Sequence, residues 1–336
     1  MDGNMSAWAT HPWVAEAAAR IRFGLIHPWL GTRLAWPEMQ RWVDQVAALG
    51  FDSYWFSDHP LLKADCWTQI AALAATTQSI RLGTMVSCIY YRHPAVLARI
   101  VADVDRISQG RIVLGLGIGD SARVFAQLGL DFPPALVRQR ALEEGIRIIR
   151  GVWGAAPLTF AGETFRVREA QVLPPPVQQP RVPILIAGAG ERGTLRQVAA
   201  FADAANFGPH PDTGNVANAD AARHKFAVLR EHCARFGRPF DSILRTYWSP
   251  PIVLATSPRT LAAKRAAISP DEHRYYGAQM FVGTPEDAIA HFQQLVNAGY
   301  QYFIVHTRAD PETTSLLAEQ VIPALTMASP ANSLPH

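Results

Sequence analysis

Ser53-Tyr54-Trp55-Phe56-Ser57-Asp58-His59 is the stretch that decides the fold: a short aromatic, strand-like run that ends in polar residues. The same layout recurs along the chain. Arg81-Leu82-Gly83-Thr84 runs into Met85-Val86-Ser87. Ile112-Val113-Leu114 opens into Gly115-Leu116-Gly117-Ile118-Gly119-Asp120, and Ile184-Leu185-Ile186 ends in Ala187-Gly188-Ala189-Gly190. In a parallel β/α protein the C-terminal ends of the strands converge on one rim, so chemistry placed there comes from residues distant in sequence.

Working outward, strand-like and helix-like patterns alternate from Arg22 onward. Strands are predicted at Arg22–Ile26, Phe51–Phe56, Ile80–Val86, Arg111–Leu116, from Pro183, at Asp203–Phe207, within Ile243–Leu254, and at Tyr302–His306. Between them lie helix signatures. Pro37 suits a first turn and Gly50 a stop, and Thr284-Pro285-Glu286-Asp287 is a helix start. After His93-Pro94, Val96, Ile100, Val104 and Ile107 mark one buried helical stripe, and Leu142, Ile146, Ile149 and Trp153 another. Leu158–Pro180 breaks the pattern with Gly162, alternating Phe165-Arg166-Val167-Arg168 and Pro174-Pro175-Pro176, and reads as a surface hairpin and strap. Eight such units favour a closed (β/α)8 TIM barrel over an open sheet. The expected layout is a tail or lead-in helix over 1–20, one barrel domain over 21–328 with a strap at 156–181, and a tail over 329–336.

The chain has 336 residues, 49% of them hydrophobic and 18% charged, enough for a large core. A formal charge of +3 is too weak a bias to argue for nucleic acid or an anionic membrane. Three widely spaced cysteines, Cys66, Cys88 and Cys233, read as reduced thiols of a cytoplasmic protein. No apolar run is long enough to cross a bilayer, and the N-terminus lacks a secretory layout.

Gly188-Ala189-Gly190-Glu191-Arg192-Gly193 fits G-x-G-x-x-G, but it arrives after four earlier units. The acid expected at the end of the next strand is missing from Ala204-Ala205-Asn206-Phe207. It reads as an anion seat made of backbone N–H groups and a helix N-terminus, or as a tight turn with no ligand. Asp58-His59 ends the second strand. His59 can move a proton near neutral pH and Asp58 can accept from a ligand; the alternative is a capping aspartate beside a surface histidine. Asp120 is either an acid with a raised pKa or the N-cap of the next helix. His27, Trp29 and His306 stand after or at the ends of strands one and eight as pocket candidates, and His93 orients a turn. With no HExxH and no Cys/His cluster, no catalytic metal is expected.

Together these motifs resemble the luciferase-like monooxygenase superfamily, and within it the branch that uses the deazaflavin coenzyme F420. The likeness rests on Gly50-Phe51-Asp52-Ser53 with Ser57-Asp58-His59, and on Leu82-Gly83-Thr84 with Arg92-His93-Pro94-Ala95-Val96. It continues through Ser108-Gln109-Gly110-Arg111 with Gly115 to Gly119, Phe132-Pro133-Pro134, the Gly162–Pro180 strap with Pro183 to Gly188, and Ala202-Asp203-Ala204. The resemblance implies a (β/α)8 barrel with a flavin-like ring in its mouth and a non-proline cis peptide at Met85-Val86, with Ser87 beside it. It implies Asp58 touching the ring, His59 catalytic and Asp120 a proton donor or acceptor. Met85, Val86, Ser87, Gly117, Gly119 and Ala187 would lie around the cofactor, and Gly188, Ala189 and Gly190 would form the phosphate turn. Many relatives carry Trp where this chain has Asp120-Ser121; an acid there resembles the deazaflavin-dependent sugar-phosphate dehydrogenases, yet the lysines and arginines that would hold a sugar phosphate are not evident. The activity implied is hydride transfer between F420 and a small organic substrate, by a homodimer. The alternatives are an FMN-dependent monooxygenase fed by a flavin reductase and a non-catalytic flavin-binding barrel.

Overall fold

In the computed structural model, residues 8–28 and 34–327 are described. The polypeptide forms eight barrel strands: β1 (Arg22–Ile26), β2 (Ser53–Phe56), β3 (Arg81–Thr84), β4 (Ile112–Gly117), β5 (Ile184–Ala187), β6 (Ala204–Phe207), β7 (Leu244–Leu254) and β8 (Tyr302–His306). Each pairs in parallel with the next, and β8 returns to β1 with Arg22 opposite Tyr302, so the sheet closes. Closure leaves no free edge, and both strand faces are buried, which is why the strands read as continuous apolar runs.

The two faces feed two cores. Trp55, Val113, Leu185, Leu244 and Ile304 fill the barrel interior, while Tyr54, Phe56, Leu82 and Leu114 point out into the layer shared with the helices. The helix Pro12–Ala18 adds Trp13, Val14 and Ala17 to the interior cluster, and Trp13 meets Tyr302 edge-on at 5.8 Å. Tyr302 begins β8, so this helix plugs the N-terminal end of the barrel and leaves the C-terminal end for the site.

The hairpin Leu158–Ala161 with Arg166–Ala170 sits where a strap was expected. Asp105, fully buried on the helix Pro94–Ile107, anchors the following segment: it accepts from Val177 N at 2.8 Å, Gln178 N at 3.1 Å and Gln178 Nε2 at 2.6 Å. That helix corrects the expected stripe. Val96 is 53% and Ile107 49% exposed, whereas Leu97, Val101, Val104 and Asp105 are buried. The inward face is centred on Leu97 and Val101, one position beyond Val96 and Ile100. Between β7 and β8 the sequence reading assigned no element before Thr284. The structure places the helices Pro258–Ala266 and Pro270–Tyr276 and the short strand Phe281–Gly283 there. Among the described residues no helix is long and apolar enough to cross a membrane.

Candidate active site

The C-terminal strand ends enclose a mouth of about 1000 Å³, counted with its opening to solvent. On the β2 side it takes in Ser57, Asp58 and His59. Asp58 is not a helix cap; Asp65 caps the helix Cys66–Thr76. Arg92 Nη1 donates to Asp58 Oδ2 at 2.6 Å, and its other terminal nitrogen bonds Asp65. Burial pushes the Asp58 carboxyl up despite the opposing pull of Arg92. Asp58, Asp65 and Cys66 bring potential ligand atoms within 4.8 Å of one another, but the Arg92 guanidinium already lies on both carboxylates.

Three imidazoles surround this side. Burial, then Lys63, holds His59 down at about 3, so the ring is neutral at pH 7. His27, just beyond β1, has Nδ1 3.0 Å from the Tyr54 hydroxyl and its ring stacked on Phe56 at 5.0 Å. His306, ending β8, accepts from Arg308 N–H through Nδ1 at 3.2 Å. Burial takes both to about 3 as well. Lys63 Nζ donates to Pro28 O at 3.1 Å, and burial lowers it to about 7. Trp29, the remaining pocket candidate, lies outside the described residues.

The wall from β3 and β4 carries Met85, Val86, Gly117, Gly119 and Asp120. The Met85–Val86 peptide is cis, at the position the resemblance implies. A Cβ on Gly117 would lie 2.6 Å from Val86 Cγ2, so only glycine lets β4 run this close to Val86. Ser87 is turned out of the mouth: it is fully buried and accepts from Trp67 Nε1 at 3.1 Å. Ser121, not Asp120, caps the helix Ala122–Gln127, accepting from Val124 N at 3.3 Å, which leaves Asp120 to the mouth. Asp120 is exposed as a residue, yet enough protein crowds its carboxyl to push the pKa up, with Asp212 adding to the push. Cys88 also lines the mouth, but burial raises its thiol to about 12.

On the β5 side Ala187 lines the mouth, and Gly188, Ala189 and Gly190 do not. Gly188 takes φ +117°, open to glycine, and spends its N–H on Asn206 O at 2.8 Å. Ala189 is buried against the loop after β6, where Gly214 has no room for a side chain. The expected anion seat therefore stands beside the mouth, with Gly190 and Arg192 exposed.

A further wall went unread in the sequence. His210, Asp212 and Thr213 follow β6, Trp248 comes from β7, and Tyr275 and Tyr276 end the helix Pro270–Tyr276. Tyr275 Oη donates to Asp212 Oδ2 at 2.7 Å, and the His210 ring lies 4.6 Å from that of Tyr275. Glu272, fully buried, accepts from Arg308 Nε at 2.7 Å and fixes this helix to the segment after β8. The signals available were His210-Pro211-Asp212 straight after a strand and Ser269-Pro270-Asp271-Glu272, a capping box like the one read at Thr284.

Residues 21–312 match the family model for luciferase-like monooxygenases. An F420-dependent glucose-6-phosphate dehydrogenase of Microbacterium testaceum (strain StLB037) is 34% identical over 154 residues, 44% of this chain and 45% of that protein. The match thus spans less than half the length of that relative. Another protein of that name, from Intrasporangium calvum, is 23% identical over 321 residues, 82% of this chain and 91% of its own. The structure of the coenzyme F420-dependent tetrahydromethanopterin reductase from Methanopyrus kandleri shares the fold, with TM-score 0.74 and 19% identity over 91% of this chain and 100% of that one. The chain belongs to the luciferase-like monooxygenase family.

Proposed function

We propose that this member of the luciferase-like monooxygenase family is an oxidoreductase that moves a hydride between deazaflavin coenzyme F420 and a small organic substrate. One observation carries the reading: His59, Asp120, the Met85–Val86 wall, Gly117, Gly119 and Ala187, far apart in sequence, all line one mouth at the C-terminal end of a closed barrel. The F420-dependent relatives support the choice of cofactor.

The lining fits such a ring. Met85, Val86 and Ala187 offer an uncharged wall, Gly117 and Gly119 keep side chains out of it, and the turn near Gly190 and Arg192 stands outside for an anionic tail. The deazaflavin, when bound, supplies the hydride donor or acceptor. The chain's own residues do the rest. His59, neutral at pH 7, takes the proton of a substrate hydroxyl or amine on one of its ring nitrogens. Asp120, with its raised pKa, donates or accepts from beyond the end of β4. Asp58, tied to Arg92, is held in place and positions rather than transfers. Holding both partners in one mouth supplies much of the rate through orientation.

Titration of the purified protein with oxidised F420 tests this, with FMN run in parallel. The expected result is a saturable change in the visible band of F420 and none with FMN. Saturation by FMN alone, followed by oxygen consumption with reduced FMN, would establish the monooxygenase instead.

A further inference from the structure

The outer half of the mouth is rich in acceptors, and several of its donors are already committed. Tyr275 spends its hydroxyl proton on Asp212 at 2.7 Å, and Thr213 Oγ1 donates to His210 O at 3.0 Å. His210 lies with Nδ1 3.3 Å from Asp212 N and Nε2 3.2 Å from Tyr275 O, so its ring hydrogen is taken by the main chain. Tyr276 Oη and Trp248 Nε1 are donors on this wall; the acceptors beside them are the carboxylates of Asp120 and Asp212, and Asn206 Oδ1. The last is a separate observation. Asn206 is fully buried, borders the mouth and commits Nδ2 to Thr246 Oγ1 at 2.8 Å, while its Oδ1 has no hydrogen-bond partner. A buried carbonyl oxygen left so is costly unless a ligand donates to it.

Charge agrees with this count. Among the described residues that line the mouth there is no arginine or lysine. Cations outside the lining, among the described residues, have partners of their own, though Arg138 also acts on Asp120 and Lys63 on His27, His59 and His306. Arg92 holds Asp58 and Asp65, and Lys63 donates to Pro28 O at 3.1 Å. Arg138 donates to Pro133 O at 3.1 Å with its guanidinium on the Phe132 ring. Trp248, Tyr275 and Tyr276 on the same lining are aromatic, and an aromatic ring face attracts a cation and gains nothing from an anion.

From these observations we infer that the outer half of the mouth is a cation subsite, selecting a substrate that bears an ammonium group and excluding a phosphorylated one. The inference rests on the reading of this mouth as the substrate site of an oxidoreductase, and it departs from the sugar phosphate named for the relatives. An ammonium group brings the donors and the positive charge that Asp120, Asp212 and Asn206 lack; a phosphate brings more acceptors and two negative charges to a wall that already holds two carboxylates.

Three probes that differ only in their charged end test it: benzylamine, benzyl alcohol and benzyl phosphate, titrated calorimetrically into the intact protein at pH 7.5. Benzylamine is expected to bind about fivefold tighter than benzyl alcohol, the scale of a partly desolvated cation over aromatic rings. Benzyl phosphate is expected to be the weakest of the three. In Asp212→Asn the advantage of the amine over the alcohol shrinks. Benzyl phosphate binding as tightly as the alcohol or tighter overturns the inference, as does an amine that fails to saturate or shows no preference over the alcohol. The F420 titration is read separately. Cofactor binding with a preference for phosphate sinks this inference alone; the expected probe order without cofactor binding sinks the cofactor reading alone.

Discussion

His306 gives the sharpest test of the site's electrostatics. It is 2% exposed, and its pKa is held near 3 by burial first, then by Lys63, with Glu272 pulling the other way. An unfolded histidine titrates near 6.5. Between these values the unfolded chain binds a proton that the folded chain refuses, so stability falls as the pH drops. The contribution is whole above pH 6.5 and is lost progressively toward pH 3. At pH 5 the loss from this one ring is about 2 kcal/mol, since each pH unit below 6.5 costs about 1.4 kcal/mol. His27 and His59 share the sign. The raised carboxyls of Asp58, Asp105 and Asp120 oppose it at lower pH, because the folded state then binds the extra proton. Wild type alone therefore mixes the contributions. His306→Asn separates them: its Oδ1 can still accept from Arg308 N–H, but it has no titrating ring. Urea unfolding at pH 7.5 and pH 5.0, followed by tryptophan fluorescence and circular dichroism, measures the acid loss where the two probes coincide. The variant is less stable at both pH values, yet its acid loss should be smaller than that of wild type by about 2 kcal/mol. Equal losses in the two proteins would refute the neutral, buried imidazole.

Other perturbations follow from the same contacts. Asp58→Ala leaves Arg92 with Asp65 alone and should cost about 2 kcal/mol of stability, read from urea unfolding, with Asp58→Asn costing less. Gly117→Val sets a side chain against Val86, where even a Cβ comes to 2.6 Å; weaker F420 binding and a stability loss of about 1–3 kcal/mol are expected. Asp105→Ala frees Val177 and Gln178, so limited proteolysis should cut between 171 and 181 faster than in wild type while the barrel survives. His59→Ala, saturated with cofactor, should lower turnover by about 10²–10⁴ while F420 binding persists.

The part of this site that comes from strand ends was legible because strand ends announce themselves. Apolar runs at Ser53–Phe56, Arg81–Thr84 and Ile112–Gly117 give way to Asp58-His59, Met85-Val86 and Gly119-Asp120, and parallel closure brings those ends together whatever the loops do. The Asp120 question needed coordinates, since Ser121 competes for the same cap and only the Ser121–Val124 bond decides it. Of the predicted cofactor run, Ala187 lines the mouth and Gly188, Ala189 and Gly190 stand beside it, because the loop carrying Gly214 folds over Ala189, a contact between segments that no local pattern encodes. Likewise Val96 and Ile107 fit a helical period, but a period fixes spacing and leaves the phase to tertiary packing.

The wall from the segment after β6 and the helix Pro270–Tyr276 was illegible for a different reason, and in the proposed reading it helps select the substrate. His210 caps a single 3-10 turn that carries Asp212, and Tyr275 and Tyr276 sit on a seven-residue helix inside an insertion, so neither periodicity nor strand order locates them. Their placement depends on Glu272, buried and bonded to Arg308 beyond β8, which ties the insertion to the last strand. The strand-end residues thus rest on barrel closure, and the wall of Tyr275 and Tyr276 on the Glu272–Arg308 ion pair together with the Tyr275–Asp212 and Gln279–Pro209 hydrogen bonds. The latter can change without disturbing the former. Glu272→Gln tests that division: weakening the tie to Arg308 should impair the discrimination among the three benzyl probes and leave F420 binding as it is in wild type. Loss of cofactor binding in this variant would mean the two halves are a single unit, and substrate preference could not then vary independently of the chemistry.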